Sequence, residues 1–71
     1  MQFILRDTRS GREYALKADT DLEAAEKLAR RMHGRKAYVS GRLGRFHAHS
    51  KESAYMASYV DVTVEVAARY A

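Results

Sequence analysis

A chain of 71 residues with 13 basic and nine acidic side chains, no cysteine and no proline leaves few choices of architecture. One domain of this size buries only about 60% of its unfolded surface, so it holds a thin core with little room for an enclosed reaction chamber, and neither disulfides nor thiolate metal sites can reinforce it. No apolar run approaches the ~20 residues that cross a bilayer, and the N-terminus lacks a signal-peptide pattern, so the expectation is a cytoplasmic protein that does not enter a membrane.

Residues 1–6 alternate, with Met1, Phe3 and Leu5 on one face and Gln2, Ile4 and Arg6 on the other, as in a half-buried strand. Asp7 to Arg12 is a cluster of turn formers with Gly11 near its end. Glu13 to Ala18 alternates again, with Tyr14 and Leu16 opposite Glu13, Ala15 and Lys17. Two alternating runs around a short polar loop predict an antiparallel hairpin.

Thr20 to Gly34 carries the strongest local signal. Thr20 and Glu23 have the spacing of a capping box, in which a hydroxyl and a carboxylate satisfy backbone donors left open at a helix start. Acids cluster at the N-terminal end (Asp21, Glu23, Glu26) and bases at the C-terminal end (Arg30, Arg31, His33), matching the helix dipole. Gly34 offers a left-handed stop. Leu22, Ala25, Leu28, Ala29 and Met32 form one apolar stripe, whose small alanines predict close approach to a sheet.

Arg35 to Leu43 reads as a third strand, with Ala37 and Val39 on one face and Tyr38 and Ser40 on the other. Gly41-Arg42-Leu43-Gly44 is compatible with a bend, a bulge or a turn, and residues 45–50 can continue the strand beyond it. Residues 51–58 fit either a loop or one helical turn. Tyr59 to Ala67 alternates strictly: Val60, Val62, Val64 and Val66 against Asp61, Thr63 and Glu65. That pattern predicts an interior strand of an antiparallel sheet with one wet face, followed by a frayed end at Ala68–Ala71.

The expected fold is therefore a single α+β domain over residues 1–71, in the order β-β-α-β-β: a four-stranded, mainly antiparallel sheet with one helix packed on one face. The expected core combines Phe3, Leu5, Tyr14, Leu16, Leu22, Ala25, Leu28, Met32, Val39, Val60, Val62 and Val64.

Function is written mainly in the charge distribution. Between Arg30 and Lys51 there are seven bases and no acid; outside that window there are six bases and nine acids. A block of like charge does nothing for a core and marks an interaction surface, although a solvated face carrying a dipole-matched helix end gives the same composition. The candidate partner-binding residues are Arg35, Lys36, Tyr38, Arg42, Arg45, Phe46 and Lys51, with the bases meeting phosphates or carboxylates and the aromatic residues serving as stacking or packing platforms. Gly41 to Gly44 has the spacing of a KH-domain loop, but that loop joins two helices and a strand precedes this one. Lys36 to Val39 faintly matches the third strand of an RRM domain, without most of its consensus.

Ala18-Asp19-Thr20-Asp21-Leu22-Glu23-Ala24, within Tyr14–Gly34, follows an A-x-(S/T)-x-x-x-A layout leading into a single helix. In this the chain resembles small phage-encoded inhibitors, including some anti-CRISPR proteins. The resemblance implies a non-catalytic inhibitor that binds and obstructs a nucleic-acid-handling complex; it transfers no functional residue. The partner expected on that basis is an acidic or nucleic-acid-facing protein surface. Direct binding of DNA or RNA and a dimerising scaffold are the alternatives, and a homodimer through the open sheet face or an edge strand is compatible with each.

Catalytic chemistry has no residue pattern behind it: the serines at 40, 50, 53 and 58 and the carboxylates of Glu52 and Asp61 show no nucleophile–base spacing, and no phosphate-binding glycine loop is present. No cofactor is expected. His47-x-His49 places two imidazoles on one strand face, but two ligands do not close a metal site, with His33 and Glu52 the remaining candidates, so no metal is expected.

Overall fold

The computed structural model describes residues 1–35, 37–49 and 62–71. Its elements are β1 (Gln2–Asp7), β2 (Glu13–Lys17), α1 (Asp21–His33), β3 (Tyr38–Arg42), β4 (Arg45–His49) and β5 (Val62–Tyr70). All neighbouring strands are antiparallel, in the order β2-β1-β5-β4-β3. The helix lies across one face and touches β1, β2, β3 and β4.

The β1–β2 hairpin forms as the alternation predicts, with Phe3 opposite Leu16 and Leu5 opposite Tyr14. Its loop is held by Asp7, whose Oδ1 accepts from the N–H groups of Arg9 (2.8 Å) and Ser10 (3.2 Å). These bonds, Arg9 first, hold the Asp7 carboxyl below its usual value of 3.8. The helix starts where the cap signal places it: Thr20 Oγ1 accepts from the Glu23 N–H at 3.1 Å. The Glu23 carboxylate lies 3.6 Å from Lys27 Nζ, one turn on. At the other end the Gly34 N–H donates to the Arg30 carbonyl, with φ 88° and ψ −177°, a region essentially restricted to glycine.

Among the described residues the sheet has five strands where four were expected. Residues 38–49 make a tight hairpin of two strands, because Leu43 and Gly44 form a two-residue loop and Arg42 pairs with Arg45. The last strand also runs further than expected. Ala68, Arg69 and Tyr70 do not fray but pair with Ile4, Phe3 and Gln2, after a register shift between Ile4 and Leu5 that leaves Ala67 as the extra residue. β5 is interior, between β1 and β4, as its valine alternation demands. Val60 and residues 51–58 lie outside the described residues.

The core is Phe3, Leu5, Leu16, Ala18, Ala24, Ala25, Leu28, Phe46 and Val64, with Tyr14, Met32, Val39, Val62 and Val66 packed around it. Three alanines of α1 are buried, at 24, 25 and 29, so the helix sits close to the sheet. Leu22 is not part of this core: it is 45% exposed, in the first turn of α1, although Ala29, two turns on along the same stripe, is buried. Among the described residues no helix is long and apolar enough to cross a membrane.

Candidate functional site

The face of the sheet opposite α1 carries mostly polar side chains, apart from the row Ile4, Ala15 and Ala68, and pairing register lines these residues up in rows. Around the β3–β4 hairpin the rows are Tyr38 with His49, Ser40 with His47 and Thr63, and Arg42 with Arg45 and Glu65. The last row continues through Arg6 to Glu13 on the far edge, so one line of charge crosses all five strands. Arg6 lies 2.9 Å from Glu13 and 3.9 Å from Glu65, and Arg45 lies 3.7 Å from the other oxygen of Glu65. These pairs are solvent-exposed and each contributes at most about 1 kcal/mol. They do change the electrostatics: Glu65, from outside the basic window, offsets part of the charge of Arg45.

The two other rows are tied by specific polar contacts. His47 Nδ1 and Thr63 Oγ1 are 2.9 Å apart, and His49 Nε2 and Ser40 Oγ are 3.0 Å apart. The Tyr38 ring stacks on His49 with centroids 4.5 Å apart and planes 9° apart. His49 is buried, whereas Tyr38 keeps 39% of its surface exposed. The histidines thus brace the hairpin against β5 and beneath Tyr38. Among the described residues no group of three or more acids or histidines is placed to hold a metal ion.

The tip of the hairpin is its least ordinary part. Leu43 has φ 58° and Gly44 φ 81°, so both loop residues are in the positive-φ region. A two-residue loop of this kind suits the twist of the flanking strands, and its usual occupants are Asn-Gly. A leucine there strains the backbone, and this one is 94% exposed. The loop is anchored where the Val66 N–H donates to the Gly44 carbonyl at 2.8 Å. Close backbone approach is also built into Gly41, where a Cβ would lie 2.5 Å from the Arg45 carbonyl oxygen and 3.1 Å from the Phe46 Cα.

Of the residues singled out in the sequence, Tyr38, Arg42 and Arg45 come together on this hairpin, all on the same face. Arg35 is exposed in the turn between α1 and β3. Lys36 and Lys51 lie outside the described residues. Phe46 is placed differently from expectation: it is 3% exposed, on the helix side of β4, where it fills the core opposite Gly41 and Val64. It is a structural residue, not a stacking platform. The alternation Arg45-Phe46-His47-Ala48-His49 contained that information, since it sets Phe46 and Ala48 on one face against three polar residues. Leu43, which the sequence marks only as part of the Gly41–Gly44 bend, is 94% exposed at the tip between Arg42 and Gly44.

Compared with models of known protein families, with curated proteins and with solved structures, the chain matches none.

Proposed function

We propose that this chain is a small non-catalytic binding protein that docks the β3–β4 hairpin on an acidic protein surface, with Leu43 as the apolar anchor and Arg42 and Arg45 as the flanking charges. The observation that carries this reading is the hairpin tip itself: a strained leucine, 94% exposed, between two arginines that pair across the strands. Each feature works against the stability of the free protein. A left-handed L-residue costs about 1–2 kcal/mol, and like charges directly opposite one another are unfavourable in a sheet. Local conflicts of this kind concentrate where a chain is built to bind.

The leucine favours a protein partner, because an apolar anchor flanked by arginines seats in a pocket rimmed by carboxylates. The likeness of Ala18–Ala24 and its helix to phage-encoded inhibitors supports a narrower version, in which the partner belongs to a nucleic-acid-handling complex that the docked chain obstructs. A second reading, direct nucleic-acid binding, draws on Tyr38, which is exposed on the same strand face as Arg42 and is held by its stack on His49.

Charge reversal with a salt series separates the two readings. The Arg42→Glu/Arg45→Glu variant should still fold cooperatively, since both side chains are exposed, with a melt lowered by no more than the loss of the exposed Arg45–Glu65 pair, and should lose partner binding. A gel shift with mixed DNA and RNA at two salt concentrations supplies the contrast. For a nucleic-acid partner, log affinity falls steeply with log salt, and each lost phosphate contact flattens the slope by ~0.9 on duplex DNA. Under the protein-docking reading the nucleic acids show only weak retention, equal in wild type and a Leu43→Asn variant. Unchanged partner affinity in the double reversal would overturn both readings.

A further inference from the structure

At the opposite edge of the sheet from the hairpin, β2 has, among the described residues, a strand neighbour on one side only. The direction of its free groups follows from the ends of the β1–β2 ladder. The Asp7 N–H donates to the Arg12 carbonyl and the Ala18 N–H to the Met1 carbonyl. Hydrogen-bonded pairs alternate along an antiparallel ladder, so Tyr14 and Leu16 also bond to β1. The N–H and C=O groups of Glu13, Ala15 and Lys17 therefore point outward, along the plane of the sheet. All three residues are exposed.

We infer that β2 is a self-complementary edge that pairs antiparallel with β2 of a second copy of this chain about a two-fold axis at Ala15. In that register Ala15 exchanges both backbone hydrogen bonds with Ala15 of the second copy, and Glu13 does the same with Lys17. The side chains agree with the backbone. Glu13 of each copy faces Lys17 of the other, giving two ion pairs from one symmetric operation. At the axis, two alanines meet where larger side chains would crowd. Glu13 already lies 2.9 Å from Arg6, so Lys17 of the second copy extends the charge row rather than interrupting it.

Among the described residues, one outward group has a partner in the single chain: the Lys17 carbonyl accepts from Lys27 Nζ at 2.6 Å. Pairing exchanges that bond for one from the Glu13 N–H of the second copy, and Lys27 keeps Glu23 beside it at 3.6 Å. The product is a continuous ten-stranded sheet in the order β3-β4-β5-β1-β2-β2-β1-β5-β4-β3, with a β3–β4 hairpin at each outer end. The interface does not use the hairpin, so dimerisation and partner docking stand or fall separately.

Sedimentation velocity across the micromolar range reads the outcome. The wild type should show a concentration-dependent monomer–dimer equilibrium. Glu13→Lys and Lys17→Glu should each weaken it about tenfold or more, because each replaces two cross-strand attractions by repulsions. Mixing the two variants restores complementarity at both positions, so the mixture should form a one-to-one heterodimer as tight as the wild-type dimer. A wild type that stays monomeric throughout, a dimer indifferent to Lys17→Glu, or a mixture that fails to associate would each overturn the proposal.

Discussion

Replacing Leu43 by asparagine should stabilise the free protein while removing its function. The structure holds Leu43 at φ 58° with 94% of its surface exposed, so its side chain contributes almost nothing to packing and its backbone conformation is unfavourable. The strain is of order 1–2 kcal/mol for an L-residue in the left-handed region; asparagine tolerates that region, and Asn-Gly is a preferred pair for this loop. Allowing for incomplete relief, the gain should be about 1 kcal/mol, which for a domain of this size raises Tm by roughly 4–8 °C. Thermal melts followed by circular dichroism, with urea titrations as a second measure, give the comparison directly. An unchanged or lowered Tm would show that the leucine is not strained or that it packs on something, and the argument that the tip sacrifices stability for binding would fail with it.

Three further perturbations test the frame that holds the hairpin. Thr20→Ala removes the acceptor of the Glu23 N–H and should lower stability by ~1 kcal/mol in urea melts, with no effect on partner affinity. Gly41→Ala forces a Cβ to within 2.5 Å of a backbone carbonyl at a residue with φ 106°, and should destabilise the hairpin by about 2–4 kcal/mol, seen as lost amide protection in β3 and β4. Asp7 has a depressed folded-state pKa, so its contribution is complete above the usual value of 3.8 and is lost as pH falls through the lower folded value. The stability difference between wild type and Asp7→Asn should therefore be present at neutral pH and shrink in acid.

The parts of this fold that could be read in the residues are those where local chemistry and tertiary packing agree. Thr20 and Glu23 define a helix start whatever surrounds them, and three valines alternating with polar residues from 62 to 66 admit no element but a half-buried strand. The β3–β4 hairpin was hidden because its turn is Leu-Gly, where the recognisable signal is Asn-Gly, and because its strands carry only Val39, Phe46 and Ala48 as apolar inward residues. A run dominated by arginine and histidine reads as surface, which is why Phe46 was assigned to a partner and not to the core. The pairing of Ala68–Tyr70 with β1 depends on the register shift at Ile4 and Leu5, which residues of low strand propensity do not announce. Of the candidate site, the charge was visible in composition. The convergence of Tyr38, Arg42 and Arg45 on one face, and the projection of Leu43 between the arginines, needed the turn.

Site-specific photo-crosslinking from position 43 tests the central claim most directly. A benzophenone amino acid in place of Leu43, irradiated in extract of the source cell, should attach to one protein, and the crosslinked peptide should lie in an acidic surface beside an apolar pocket. The adduct should disappear when Arg42 and Arg45 are both reversed to glutamate. Adducts confined to nucleic acid, or a protein adduct whose yield is unaffected by the reversal, would contradict docking through the hairpin tip.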